Sequence, residues 1–158
     1  MEWQKNAVVT GATAGIGLAA AMAMVEQGIS VIGVGRNAGR CEEARRKILG
    51  ACPRASVEYL VCDLSSQAQV RELARLITAR WDRLDVLVNN AGTVSSHYMT
   101  SVDGIEMQFA VNHLAPFLLT HELLPLLKKS PQGRIVTTSS ESHYGAKLDF
   151  SDLLMLAA

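Results

Sequence analysis

The chain has no surplus of charge of either sign: fifteen lysines and arginines balance fifteen aspartates and glutamates over 158 residues. Without a basic field it offers nucleic acid no electrostatic footprint, and without an acidic tail it offers none to a basic partner. Cysteine is scarce as well. Cys41, Cys52 and Cys62 have no metal-ligand spacing, so no metal centre is expected, and their odd number fits free thiols in a reducing cytoplasm. His97, His113, His121 and His143 are scattered and read as structural or exposed side chains. No apolar run is long enough to span a bilayer, and the first strand pattern begins within a few residues of Met1, leaving no room for a signal peptide. The expectation is a cytoplasmic protein with no membrane partner. Repeats, low-complexity tracts and interdomain linkers are missing too, so residues 1–158 are read as one domain.

What the chain does have is alternation. Five short apolar runs, at 6–10, 30–35, 57–62, 84–89 and 134–139, read as strands. Helical patterns fill the gaps at 15–27, 38–49, 66–81 and 102–129, the last with a bend expected at Pro116. Strands alternating with helices predict an α/β fold, a Rossmann-type doubly wound parallel sheet of about five strands with right-handed crossovers.

Between the first strand and the first helix stands Thr10-Gly11-Ala12-Thr13-Ala14-Gly15-Ile16-Gly17. Gly11 can adopt positive φ, Gly15 and Gly17 place no Cβ before an anion, and the helix's unpaired N–H groups face it. The turn suits a pyrophosphate, although a tight strand-to-helix connection uses glycine for steric reasons alone. Asp63, followed by Ser65 and Ser66, reads from local chemistry as a helix cap. Asn89-Asn90-Ala91-Gly92 after the fourth strand reads as a turn. Asn112 lies within the apolar helical run Phe109-Ala110-Val111-Asn112-His113-Leu114. An asparagine is unfavourable there, which suggests a task. Arg134-Ile135-Val136-Thr137-Thr138-Ser139-Ser140 reads as a buried strand ending in paired serines.

In order and spacing these motifs resemble the short-chain dehydrogenase/reductase family, with its T-G-x-x-x-G-I-G turn, from Asn6 to Asp152. Asp103-Gly104-Ile105-Glu106, Phe117-Leu118-Leu119-Thr120 and Phe150-Ser151-Asp152-Leu153 resemble its retinol dehydrogenase-like branch. The resemblance implies an NAD(P)(H)-dependent oxidoreductase that moves a hydride between a nicotinamide cofactor and a small alcohol or carbonyl substrate. Its cofactor site would comprise Thr10, Gly11, Gly15, Ile16, Gly17, Arg36, Asp63, Leu64, Asn90, Ala91 and Gly92. Asp63 would accept the adenine amino group, and Asn90-Ala91-Gly92 would pack between cofactor and sheet. The surviving catalytic positions would be Asn112, acting through its main chain on a proton-relay water, and Ser140, orienting the substrate, with Ser139 its structural neighbour. The second strand ends in Val34-Gly35-Arg36-Asn37, with no acid for a ribose hydroxyl. A guanidinium there pairs with a 2′-phosphate, which favours NADP(H) over NAD(H), with Arg40 assisting. The plainer reading leaves both arginines as solvated side chains at a helix start.

The family's catalytic Tyr-x-x-x-Lys does not occur in these 158 residues. Tyr144 and Lys147 are one residue too close and sit in a stretch broken by Gly145, so they read as surface residues. A free tyrosine has a pKa of ~10 and needs a neighbouring cation to work near neutrality. Ser140 can hold a substrate oxygen without replacing that acid. The sequence thus predicts a C-terminally incomplete family domain, with 153–158 starting an apolar helix and turnover weak or absent. An uncovered sheet edge would call for a partner, a homo-oligomer among the candidates. Two rival readings stand beside this one: a catalytically silent NADP(H)-binding regulatory protein, and a Rossmann methyltransferase, which the glycine spacing and paired serines fit poorly.

Overall fold

The computed structural model describes residues 4–145, 147 and 149–152. Strands β1 (Asn6–Thr10), β2 (Ser30–Gly35), β3 (Val57–Val61), β4 (Val86–Asn89) and β5 (Arg134–Thr137) form one sheet in the order β3-β2-β1-β4-β5. Every neighbouring pair is parallel. Parallel neighbours cannot be joined by hairpins, so helices α1 (Gly15–Glu26), α2 (Ala38–Ala51), α3 (Gln67–Arg80), α4 (Met107–Phe109) and α5 (Ala115–Leu127) lie in the crossovers. Strand order reverses between β1 and β4. The reversal opens a crevice at the carboxyl ends of those two strands, the usual binding place in such sheets.

Each face of the sheet has its own core because successive strand side chains alternate sides. On one face Ala7, Val9, Val31 and Val57 meet Ala21 and Val25 of α1 and Ile48 of α2. On the other, Val8, Ile32, Leu60 and Leu87 meet α3 and α5. Helix α3 buries Val70, Leu73, Ala74 and Ile77, the i, i+3, i+4, i+7 stripe of an amphipathic helix. Its first turn is satisfied from two sides: the Ser66 hydroxyl accepts from Gln69 N–H, and the distant Asp103 carboxylate accepts from Gln67 N–H at 2.8 Å.

The elements depart from the sequence pattern at their ends. Cys62 lies past β3, Leu84 and Asp85 precede β4, and Thr138 and Ser139 follow β5. The helix expected from residue 102 starts only at Met107. Gly104 turns the chain at φ +72, and the 2% exposed Glu106 carboxylate accepts from Gln108 N–H and Phe109 N–H, so it caps a helix start instead of lying inside a helix. The bend expected at Pro116 takes the form of a π-helical turn, Ala110–Leu114, closed by Ala115 N–H on the Ala110 carbonyl. Pro116 has no N–H for the carbonyl of Asn112 four residues back, so regular α-hydrogen bonding cannot run through this stretch.

The far end of the sheet is tied together by Asp85, buried beneath the start of β4. Its carboxylate accepts from Ser130 Oγ at 2.6 Å, Asn6 N–H at 2.8 Å and Arg83 Nε at 3.1 Å, linking β1, β4 and the loop before β5. Burial alone would raise its pKa. The bonds from Ser130 and Asn6 and the Arg83 guanidinium outweigh it and hold the carboxyl below the usual range. A folded-state pKa below the unfolded one gives stability that is present above the unfolded value and lost as pH falls through the folded value. Thermal unfolding followed downward from pH 6 should therefore lose Tm below about pH 4, and Asp85→Asn should flatten that loss while costing about 1–3 kcal/mol at neutral pH.

At the opposite margin, all four residues of β5 are exposed, with Ile135 at 47% and Val136 at 50%. That matches the expected uncovered edge, although the strand is not the buried one its composition suggests. Residues 153–158, expected to begin an apolar helix, lie outside the described residues.

Candidate cofactor and active site

The crevice at the β1–β4 reversal is a cleft of about 550 Å³, within the range of small-molecule sites. Of the expected residues, Gly11, Arg36, Asp63, Leu64, Asn90, Ala91 and Gly92 line it. Thr10 stands just behind, its hydroxyl donating to Val88 O and accepting from Asn90 N–H and Ala91 N–H at 3.0 Å each. That hydroxyl locks the turn after β4 onto the end of β1. Asn90 reinforces the joint: its Nδ2 donates to Thr10 O at 3.0 Å, and its Oδ1 accepts from Thr138 Oγ1 at 3.2 Å.

The glycines divide their work. Gly11 adopts φ +66 with its missing Cβ facing the Ala91 backbone at 2.9 Å. Gly15, at φ +52, opens onto free space with nothing within 4 Å of a Cβ, a bare cradle at the start of α1. Gly17 serves packing: a Cβ there would stand 2.2 Å from the Gly11 carbonyl oxygen. Ile16 between them is 71% exposed. Gly15, Ile16 and Gly17 do not themselves line the cleft; Gly11 and Thr13 of the same turn do, as does Arg36, an arrangement that fits a dinucleotide phosphate.

Asp63 is not the N-cap of α3, which is Ser66. Instead its Oδ1 accepts from Ser65 N–H at 2.9 Å and Ser65 Oγ at 2.8 Å, an Asx turn whose two residues both line the cleft. Cys62 beside it also lines the cleft. Burial, and secondarily the Asp63 charge, pushes its thiol up to about 12, so it is an inert neighbour with no nucleophilic role.

Asn112 lies in the π turn, and its side chain has a clear structural use. Oδ1 accepts from Thr93 N–H and Nδ2 donates to Thr93 O, both at 2.8 Å, clamping the loop that leaves Gly92. Ser140 stands apart. Its hydroxyl donates to Ser142 Oγ at 3.0 Å and accepts from Ser142 N–H, capping a short 3₁₀ turn (Glu141–His143), and it does not line the cleft. Tyr144 and Lys147 are exposed, as expected. Among the described residues no cluster of metal-ligating side chains occurs and no helix is long and apolar enough to cross a membrane.

Several contributors escaped the sequence reading. Met99, Met107 and Val111 form an apolar wall of the cleft. They meet because the chain folds back on itself, with Met107 N–H on Met99 O at 2.8 Å and Ser101 N–H on Ile105 O at 2.7 Å. No local pattern announces such a fold-back. Glu106 could have been found, since a carboxylate three residues before Phe109 at a turn glycine has the spacing of a cap.

Fold and cleft together define a Rossmann-type α/β protein with its crevice at the topological switch point. Residues 5–147 match the short chain dehydrogenase family. Retinol dehydrogenase 13 of Homo sapiens is 41% identical over 149 residues, covering 94% of this chain and 45% of that protein. The NADP complex of a metagenomic short-chain oxidoreductase has a TM-score of 0.76 at 32% identity, over 86% of this chain and 62% of that one. A short chain dehydrogenase from Escherichia coli CFT073 complexed with NADPH has a TM-score of 0.78 at 30% identity, over 96% and 65%. The chain belongs to the short-chain dehydrogenase/reductase family, in its retinol dehydrogenase-like branch. It spans about half the length of the curated relatives it matches.

Proposed function

We propose that this chain is an NADP(H)-binding oxidoreductase domain acting on a small alcohol or carbonyl compound, with little or no turnover of its own. The observation that carries the reading is the gathering of Gly11, Asp63 and Arg36 around one cleft at the strand-order reversal, with the bare Gly15 following Gly11 in the same turn. When bound, the nicotinamide would supply a hydride donor or acceptor. The chain's own residues bind and orient. Gly11, Gly15 and the first N–H groups of α1 would receive the pyrophosphate, Asp63 would accept from the adenine amino group, and Arg36 would pair with the 2′-phosphate. Met99, Met107 and Val111 give the cleft an apolar wall. Two NADP(H)-complexed relatives of the same fold support the cofactor choice.

Titrating NADPH and NADH against the protein while following nicotinamide fluorescence tests it. Arg36→Ala should weaken NADPH by about ten- to a hundredfold, the size of a charge-assisted hydrogen bond of ~1.5–3 kcal/mol, and leave NADH unchanged. Equal affinity for both cofactors, insensitive to Arg36→Ala, would assign the guanidinium to solvent.

The silent-binder reading is favoured by one observation of its own, the engagement of the Ser140 hydroxyl in its own turn. A cytoplasmic setting accords with the three free cysteines. A homo-oligomer accords with the apolar exposure of β5; sedimentation velocity would reveal it.

A further inference from the structure

We infer that Tyr59 is a positioning residue for the cofactor: its hydroxyl fixes the glycine-rich turn at Ala12 and thereby holds the turn's amides in line for a pyrophosphate. The inference rests on the cofactor reading above. Tyr59 lies on β3, two strands from the turn, and nothing in the local sequence links the two. The link is made across β2, where the register partner of Tyr59 is Gly33. A Cβ at residue 33 would stand 2.5 Å from a Tyr59 ring carbon, so only glycine lets the ring lie flat over β2. The hydroxyl then reaches past β2 and donates to Ala12 O at 2.8 Å.

Ala12 is fully buried, and its N–H donates to Val34 O at 3.1 Å. Both of its backbone polar groups are thus tied to structure outside the turn. The flanking residues are held more loosely: Gly11 packs on the Ala91 backbone and its carbonyl accepts a long 3.5 Å bond from Asn90 Nδ2, and the Thr13 methyl lies over Gly35. The Tyr59 bond is therefore the shorter of the two side-chain hydrogen bonds that set carbonyl orientation at Gly11 and Ala12. A turn held this way is already shaped when an anion arrives and need not be ordered by it. Burial, with the nearby Cys41 a lesser cause, pushes the Tyr59 hydroxyl up to about 12, so it remains a donor across the neutral range.

The test compares three ligands on the unsubstituted chain and on Tyr59→Phe: NADPH, 2′-phospho-ADP-ribose, and 2′-AMP, which lacks the pyrophosphate. The expected result is a rise of about tenfold in the dissociation constants of the first two, the size of one lost buried hydrogen bond, with 2′-AMP changed less than twofold. Equal weakening of all three would mean general loosening and would overturn the positioning role, as would no weakening at all. Failure of the unsubstituted chain to bind NADPH would instead overturn the cofactor reading, and this inference with it. Should Tyr59→Phe not fold, exchange of the Tyr59 hydroxyl proton in the unsubstituted, cofactor-free chain decides. Slow exchange with water supports a turn held by this bond before the cofactor arrives, and free exchange rules it out.

Discussion

Gly17→Ala is expected to weaken NADPH binding by about ten- to a hundredfold, whereas Gly15→Ala should leave the fold intact and weaken binding less. Both glycines belong to one motif, yet their surroundings differ. A Cβ on Gly17 meets the Gly11 carbonyl oxygen at 2.2 Å, Asn90 Nδ2 at 2.5 Å and the Gly11 carbonyl carbon at 2.8 Å. Two of those atoms are backbone of the turn itself, so the added methyl must push the turn off α1. The third belongs to the side chain that ties the turn after β4 to the end of β1. Overpacking of this kind costs about 1–3 kcal/mol, and the displacement falls on the amides that would face the pyrophosphate. Gly15 has nothing within 4 Å of its Cβ, and its only intrinsic difficulty is φ +52, worth ~1–2 kcal/mol for an L side chain. Thermal unfolding and NADPH titration on the two variants separate the cases. A Gly17→Ala protein that bound NADPH within threefold of the unsubstituted chain would show that the turn can shift without cost.

The same pair of glycines marks how far the sequence could be read. The spacing of Gly11, Gly15 and Gly17 places a phosphate turn, and the alternation of apolar runs places five parallel strands and their helices. Spacing could not say which glycine clears space for an anion and which for a carbonyl, because that depends on how α1 leans on the turn. Asp63 is a similar case. Its position was legible, but its local partner is Ser65 while Ser66 caps the helix, and a run of Asp, Ser and Ser gives the cap to any of the three. The start of the α4–α5 stretch was misplaced because Val102 and Ile105 have helical spacing, while Gly104 and Glu106 act together as turn and cap. Tyr59 was invisible for a deeper reason. Its partner Ala12 is 47 residues away, and the contact exists only because β3 is two strands from β1 with a glycine between.

The segment between β4 and α4 shows the same dependence on distance. Asn112 clamps its beginning through Thr93, and Asp103 fastens its end to the first N–H of α3. The Asp103-Gly104-Ile105-Glu106 stretch, which in sequence only suggested a branch of the family, thus has three physical tasks: capping α3, turning the chain and capping α4. Met99 and Met107 reach the cleft as a consequence. Substrate preference in this chain would then be set partly by residues whose placement depends on caps well away from the chemistry.

Reduction of a panel of apolar aldehydes and ketones by NADPH is expected to run ~10²–10⁴-fold below the rate of human retinol dehydrogenase 13 assayed alongside, the usual cost of losing a positioned acid. The chain has three tyrosines, and each is unsuited to the task for a different reason. Tyr59 is bonded to Ala12 O and pushed up to about 12, far from neutrality. Tyr98 lies in the loop between β4 and α4, with no lysine four residues on. Tyr144 is exposed, with Lys147 three positions along instead of four. On the proposed reading binding and orientation would remain, so any residual rate should fall with Gly17→Ala and stay within twofold for Tyr144→Phe. Sustained turnover near the relative's rate, abolished by Tyr144→Phe, would place the missing acid at Tyr144 and reverse the argument. A rate near zero with intact NADPH affinity would mean that these 158 residues form a complete cofactor site and lack the proton donor that would make it an active one.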